Sequence, residues 1–222
     1  MGCLVETLAR QQGHEVVAVL TSHDGRAAYE RLEALSGADV AIDFSVGGAV
    51  RENVAACLAA GAPLVVGTTG WQAQLPEVRQ MVETQGGAMI YGANFSVGVN
   101  LFYRVVAQAA QLFSTVEGYE PFIEEAHHSR KKDAPSGTAL KLRDLVADSF
   151  PHEFTVTATR AGHIPGTHRV GFDCAADTVT LIHTARSREG FAAGALLAAQ
   201  WIIGKQGVYE FPQVIDEILR AA

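Results

Sequence analysis

At 222 residues, with 48% apolar and 18% charged side chains, the chain is long enough for one large domain or two modest ones with an ordinary globular balance. A net charge of −7 excludes a general basic face for nucleic-acid phosphates, and no apolar run reaches membrane-spanning length. Cys3, Cys57 and Cys174 form no C-x-x-C, and the start has no secretory layout, so the reading is a cytoplasmic chain in a reducing compartment, without a disulfide frame or a metal site.

The first half alternates helix and strand. Leu4, Val5 and Leu8 make a helical stripe that ends at Gly13, and Glu15–Thr21 (EVVAVLT) reads as a buried strand. Ala27–Ser36 has helical spacing, Ala38–Phe44 reads as a strand, and Ala49–Ala60 as a helix stopped by Gly61. Ala62–Thr68 is a further strand, Leu75–Gln85 a helix and Ala88–Gly92 a strand. Near-continuous apolar strands joined by helices imply a parallel sheet covered on both faces, hence a doubly wound, Rossmann-like α/β unit. The pattern opens on a helix. A dinucleotide-binding unit would place a strand and a Gly-rich turn before it, so the expectation is a chain short of its first strand by truncation, or a natural variant.

The second half changes character. Val97–Ser114 reads as a long helix, Gly118–Glu125 as a strand and Ala139–Phe150 as an amphipathic helix. Phe154–Thr159, His168–Cys174 and Thr178–Thr184 read as strands, the last two joined by the tight connection Ala175-Ala176-Asp177. This predicts an α+β domain with a mixed or antiparallel sheet. Phe191–Ile203 is an Ala-rich helix ended by Gly204, and Val214–Leu219 a short terminal helix.

The densest chemistry lies in Glu124-Glu125-Ala126-His127-His128-Ser129-Arg130-Lys131-Lys132-Asp133-Ala134-Pro135-Ser136-Gly137-Thr138. Two histidines and three cations fall within six residues of an acidic chain, and Pro135 marks a loop. Ser136-Gly137-Thr138 follow at a helix start, where hydroxyls and free N–H groups cap the helix and also suit a carboxylate. The combination suits a small dianion that receives a proton, and His127 is a side chain that can be charged near neutral pH. Gly67-Thr68-Thr69-Gly70 and Asp43-Phe44-Ser45 stand at carboxyl ends of strands, where ligands bind in doubly wound sheets. Gly92-Ala93-Asn94-Phe95 lies where the pattern changes. Arg160–His168, rich in Gly and Pro, reads as a structural or lid loop; its two histidines make a poor metal site. Arg188 starts a helix and either caps it or reaches the site.

EAHHSRKKDAPSGTA at 125–139 resembles the signature of the bacterial dihydrodipicolinate reductase family of lysine and diaminopimelate biosynthesis. IDFS at 42–45, VVGTTG at 65–70, ANFSVGVN at 93–100, RAGHIPGTHRV at 160–170 and SREGFAAGALLAAQW at 187–201 resemble it too, in order. The resemblance implies a homotetrameric oxidoreductase using NADH or NADPH to reduce a cyclic imine-type dicarboxylate. By position, His127 matches the proton donor and Lys131 the second catalytic residue. His128, Ser136, Gly137, Thr138 and Arg188 stand for the substrate set. Gly2, Thr21, Phe44, Gly67, Thr68, Thr69, Gly92, Ala93, Asn94 and Phe95 stand for the cofactor set. Residues 1–95 with 189–222 would form the dinucleotide domain, and 96–188 the substrate and tetramerisation domain. Two departures stand out: the Gly-rich fingerprint is reduced to Met1-Gly2, and Thr21-Ser22, with Asp24 beyond, replace the acid that would fix an adenosine ribose. The alternative expectation is a truncated, impaired homologue that binds substrate or a partner but holds cofactor poorly.

Overall fold

The computed structural model describes residues 1–21 and 33–221. In chain order its elements are α1 (Gly2–Gln11), β1 (Ala41–Asp43), α2 (Val50–Ala60), β2 (Leu64–Val66), α3 (Leu75–Thr84), β3 (Ala88–Tyr91), α4 (Val97–Phe113), β4 (Glu120–His127), α5 (Gly137–Ala147), β5 (Thr155–Arg160), β6 (Thr167–Asp173), β7 (Thr178–Thr184), α6 (Glu189–Ile202), β8 (Gly207–Glu210) and α7 (Phe211–Ala221). The chain divides into two compact units, Met1–Val97 with Arg188–Ala222, and Gly98–Ser187.

The first unit is a Rossmann-like layered α/β body. Its sheet runs β1-β2-β3-β8, parallel throughout, with Ile42, Val65, Ile90 and Tyr209 in register across it. The central strands are apolar on both sides because helices cover both faces. On one face Val65, Ile90 and Phe95 pack with Ile202 of α6 and with Phe211 and Ile215 of α7. On the other, Leu64, Val66 and Met89 meet Val50 and Val54 of α2 and Val78 and Val82 of α3. Each such fully buried side chain contributes roughly 1.5–3 kcal/mol of transfer free energy. Gly61 ends α2 at φ 70°, a left-handed cap whose N–H reaches Leu58. Helix α1 lies on α6 through Val5, Ala9, Ala192 and Leu196.

Three readings of this half change. Glu15–Thr21 forms no strand. Its β-branched run has no adjacent strand among the described residues, and Val17 and Val19 are exposed; a strand is made by pairing, and propensity alone does not make one. Of the predicted helix at 27–36, residues 33–35 are helical and the stretch through 32 lies outside the described residues, as do Ser22 and Asp24. Gly207–Glu210, unpredicted, forms β8 beside β3, and α7 then starts at Phe211, with Pro212 in its first turn.

The second unit carries a mixed sheet of order β5-β4-β6-β7. β4 pairs β5 in parallel across the α5 crossover, and pairs β6 antiparallel, as β6 does β7. Strand alternation turns Ile123, Glu125 and His127 to one face together with Val170 and Phe172, all buried. That face receives Phe102, Val106 and Ala110 of α4 and Leu142 and Val146 of α5. β4 runs two residues beyond its predicted end, so His127 closes a strand and does not begin a loop.

Candidate active site

Glu125 and His127 are two apart on β4, so both side chains point inward, and a polar cluster forms at the end of an otherwise apolar face. The Glu125 side chain is fully buried. Its Oε1 accepts from Arg160 Nη2 at 2.6 Å and from the Ser136 backbone N–H at 2.9 Å. Its Oε2 lies 2.8 Å from His127 Nδ1 and 3.6 Å from His168 Nε2. The 2.8 Å contact is close but off the N–H axis, so neither atom has an aligned hydrogen bond. Ser136 caps α5, its Oγ accepting from the Ala139 N–H at 3.2 Å and standing 3.1 Å from His168 Nε2. Arg160 sits opposite His127 in the β4–β5 register, which places its guanidinium beside the carboxylate. Lys131, in the following loop, pairs with Asp133 at 2.9 Å.

Electrostatics follow from burial and these partners. Burial opposes ionisation of Glu125, yet hydrogen bonds from Ser136 and Arg160 and the nearby His127 outweigh it and hold its pKa below the usual carboxylate value. Burial pushes His127 below the ordinary imidazole value; Glu125 resists, while Lys131 and Arg160 push further down. Without a ligand the surroundings of His127 therefore favour the neutral imidazole. Burial and the neighbouring His127 bring His168 down to about 4, against the pull of Glu125. Glu125, His127 and His168 each offer a ligand atom, all within 4.8 Å of one another. The Arg160 guanidinium already neutralises that carboxylate, so the cluster is an ion-paired network with little field left to attract a cation.

Of the other residues predicted here, His128 is half-buried with Nδ1 enclosed and without a hydrogen-bond partner. Gly137 opens α5 and is exposed, and the Thr138 side chain bonds Tyr103. Arg188 is the exposed N-cap of α6 and belongs to the other unit.

In the first unit, strand carboxyl ends gather a second group. Buried Asp43 accepts from the Ser45 N–H at 2.7 Å, Thr68 Oγ1 at 3.0 Å and Asn53 Nδ2 at 3.0 Å, which ties the ends of β1 and β2 together. The Phe44 ring lies over Gly67, where a Cβ would fall 2.1 Å from Cε1. Thr69 and Ala93 are exposed, Asn94 half-buried, and Gly92 buried against Phe211. The Phe95 side chain is in the core, 4.6 Å from the Phe211 ring centroid, so only its backbone remains for a ligand. Gly2 is the first residue of α1 and Thr21 an exposed residue outside any element.

Residues 1–95 match the family description "Dihydrodipicolinate reductase, N-terminus", and residues 98–215 match "Dihydrodipicolinate reductase, C-terminus". The chain belongs to the dihydrodipicolinate reductase family. Among relatives named 4-hydroxy-tetrahydrodipicolinate reductase, the protein of Christiangramia forsetii is 33% identical over 99% of this chain and 95% of its own length. That of Anaeromyxobacter dehalogenans is 36% identical over 82% of this chain and 74% of its own. In fold the chain is similar to a dipicolinate-bound dihydrodipicolinate reductase from Paenisporosarcina sp. TG-14, with a TM-score of 0.78, 24% identity and 95% and 93% of the two chains covered. The expected family and the oxidoreductase class are thus met; the N-terminal match lies within the parallel-sheet unit, and the C-terminal match covers the mixed-sheet unit and continues through α6 and β8 into α7.

Sequence reasoning missed Glu125, Arg160 and His168 as a set. The available signal was the i, i+2 spacing of Glu125 and His127, which on any strand puts both on one face.

Proposed function

We propose that this chain catalyses NAD(P)H-dependent reduction of 4-hydroxy-tetrahydrodipicolinate to tetrahydrodipicolinate, with the 4-hydroxyl lost as water, in lysine and diaminopimelate biosynthesis. The observation that carries this reading is the cluster at the end of β4, an enclosed imidazole beside an ion-paired carboxylate, a lysine and a capped helix N-terminus. His128, Ser136, Gly137 and Thr138 are assigned to the substrate carboxylates, with Arg188 as a further cation. Backbone N–H groups at the start of α5 and the fixed charge of Lys131 offset negative charge on the ring. Two substrate carboxylates beside His127 raise its proton affinity, so binding charges the imidazole that then protonates the reduced ring.

Phe44, Gly67, Thr68, Thr69, Gly92, Ala93, Asn94 and the Phe95 backbone are assigned to the dinucleotide, with Gly2 and Thr21 as outlying members. Small and exposed residues at carboxyl ends of parallel strands fit such a group. When bound, the dihydronicotinamide, from NADH or NADPH, supplies the hydride. The working assembly is taken as a cytoplasmic homotetramer formed through the outer face of the mixed sheet.

One observation favours a second reading, weak cofactor binding: residues 15–21, which end in Thr21, form no strand. Fluorescence titration with NADH and NADPH, with and without pyridine-2,6-dicarboxylate, separates the two. Micromolar-range binding of either nucleotide supports the reductase, and absence of binding supports the second reading. His127→Gln is expected to lower turnover by about 10²–10⁴-fold with unchanged nucleotide affinity; full turnover in that variant would remove His127 as the acid.

A further inference from the structure

We propose that Glu125 is a positioning residue for His127: its buried carboxylate keeps Nδ1 turned into the protein and leaves Nε2 as the atom that gives up the proton. The proposal rests on the reductase reading above, and begins from geometry. Glu125 Oε2 and His127 Nδ1 are 2.8 Å apart, and both atoms are enclosed. Even off the N–H axis, a carboxylate charge 2.8 Å away disfavours a bare Nδ1 and favours a protonated one, so the ring proton of neutral His127 sits on Nδ1. Nε2 is then the basic nitrogen, the one that charges on ligand binding and discharges in the reaction.

Three features hold this arrangement. Arg160, from β5, meets the other carboxylate oxygen and makes burial of the charge tolerable. The Ser136 N–H, at the α5 cap, fixes the same oxygen at 2.9 Å. Gly166 lies beside the imidazole at φ 137°, and a Cβ there would come within 3.1 Å of Nε2 and 3.2 Å of Cδ2. The missing side chain leaves room at the nitrogen to which the carboxylate assigns the proton transfer. The charged and titratable groups around His127 are Glu125 on its own strand, Arg160 on β5, His168 on β6, and Lys131 and Asp133 in the loop. Of the two carboxylates, Glu125 is the buried one, and it is the one touching the ring.

Two measurements test this. In ¹⁵N-labelled wild-type protein, the neutral His127 ring is expected as the Nδ1–H tautomer; the Nε2–H tautomer overturns the proposal, and no variant has to fold for the result to stand. In steady-state kinetics, Glu125→Gln is expected to lower kcat at least about tenfold, with part of the loss recovered by Glu125→Asp and the pH profile displaced. Combined with His127→Gln it should add little, because both changes remove one function. If His127→Gln is defective and the double variant loses the product of the two effects, the positioning role is wrong and the reductase reading survives. If His127→Gln turns over fully, the functional reading fails and the positioning role falls with it.

Discussion

His168→Gln should flatten the acid side of the stability profile, by an amount the structure sets. His168 is 5% exposed, pairs with Ser136 Oγ and lies beside His127 and Glu125. Burial brings its pKa from 6.5 to about 4. The folded value is the lower one, so between these two pH values the unfolded chain takes up a proton here that the folded chain refuses. Stability therefore falls as pH drops through the unfolded value, and the loss from this group is complete at the folded value. Integrated from about pH 7 to about pH 5, that one group destabilises the fold by roughly 2 kcal/mol. For a chain of this length, that is about 4–8 °C in Tm. His127 and His183 are displaced in the same direction and persist in the variant. Glu125 and Asp133, held low, lose their contribution only at more acid pH. Thermal melts at both pH values, wild type against His168→Gln, isolate the difference. An identical drop in the two proteins would mean that His168 is not held neutral by its surroundings, and the burial argument would be refuted.

Gly194→Ala should destabilise the parallel-sheet unit by about 3 kcal/mol, the upper end of overpacking costs. A Cβ at Gly194 would fall 1.8 Å from the Phe95 carbonyl oxygen, and because the Phe95 ring is packed against Phe44 and Phe211 that residue has little freedom to retreat; urea unfolding followed by Trp fluorescence reads the change. Ser136→Ala should cost roughly 1 kcal/mol for the lost cap, with a further change in the His168 titration seen by NMR, because the same Oγ serves the Ala139 N–H and the His168 ring.

The elements were legible where periodicity was long and self-sufficient. α2, α3, α4 and α6 form where the sequence reads them, although on α4 Leu101, Val105 and Leu112 are exposed and Phe102, Val106 and Ala110 face the core, and the buried strands at 64–66 and 88–91 are unbroken apolar runs. Glu15–Thr21 misled because a strand is a property of a pair, and among the described residues the run pairs with no other strand. β8 escaped notice for the opposite reason: Gly207-Val208-Tyr209-Glu210 is too short for a pattern, and its bonds come from β3, more than a hundred residues away. The site divides the same way. His127, His128, Lys131 and Ser136 stood out because they are neighbours in sequence. Arg160 and His168 reach Glu125 only through the β4–β5 and β4–β6 registers, which no local pattern encodes.

That long-range part decides what the local part can do. Within the cluster two carboxylates, Glu125 and Asp133, are balanced by two cations, Arg160 and Lys131. Neither His127 nor His168 then has an unspent charge to draw a proton, and burial keeps both neutral. A loop carrying the same histidines without Glu125 and Arg160 behind them would leave the rings solvated, with charge set by bulk pH. Held as they are, His127 gains a proton only when new negative charge arrives beside it, so on the reductase reading the acid is armed by the dianion it is to protonate.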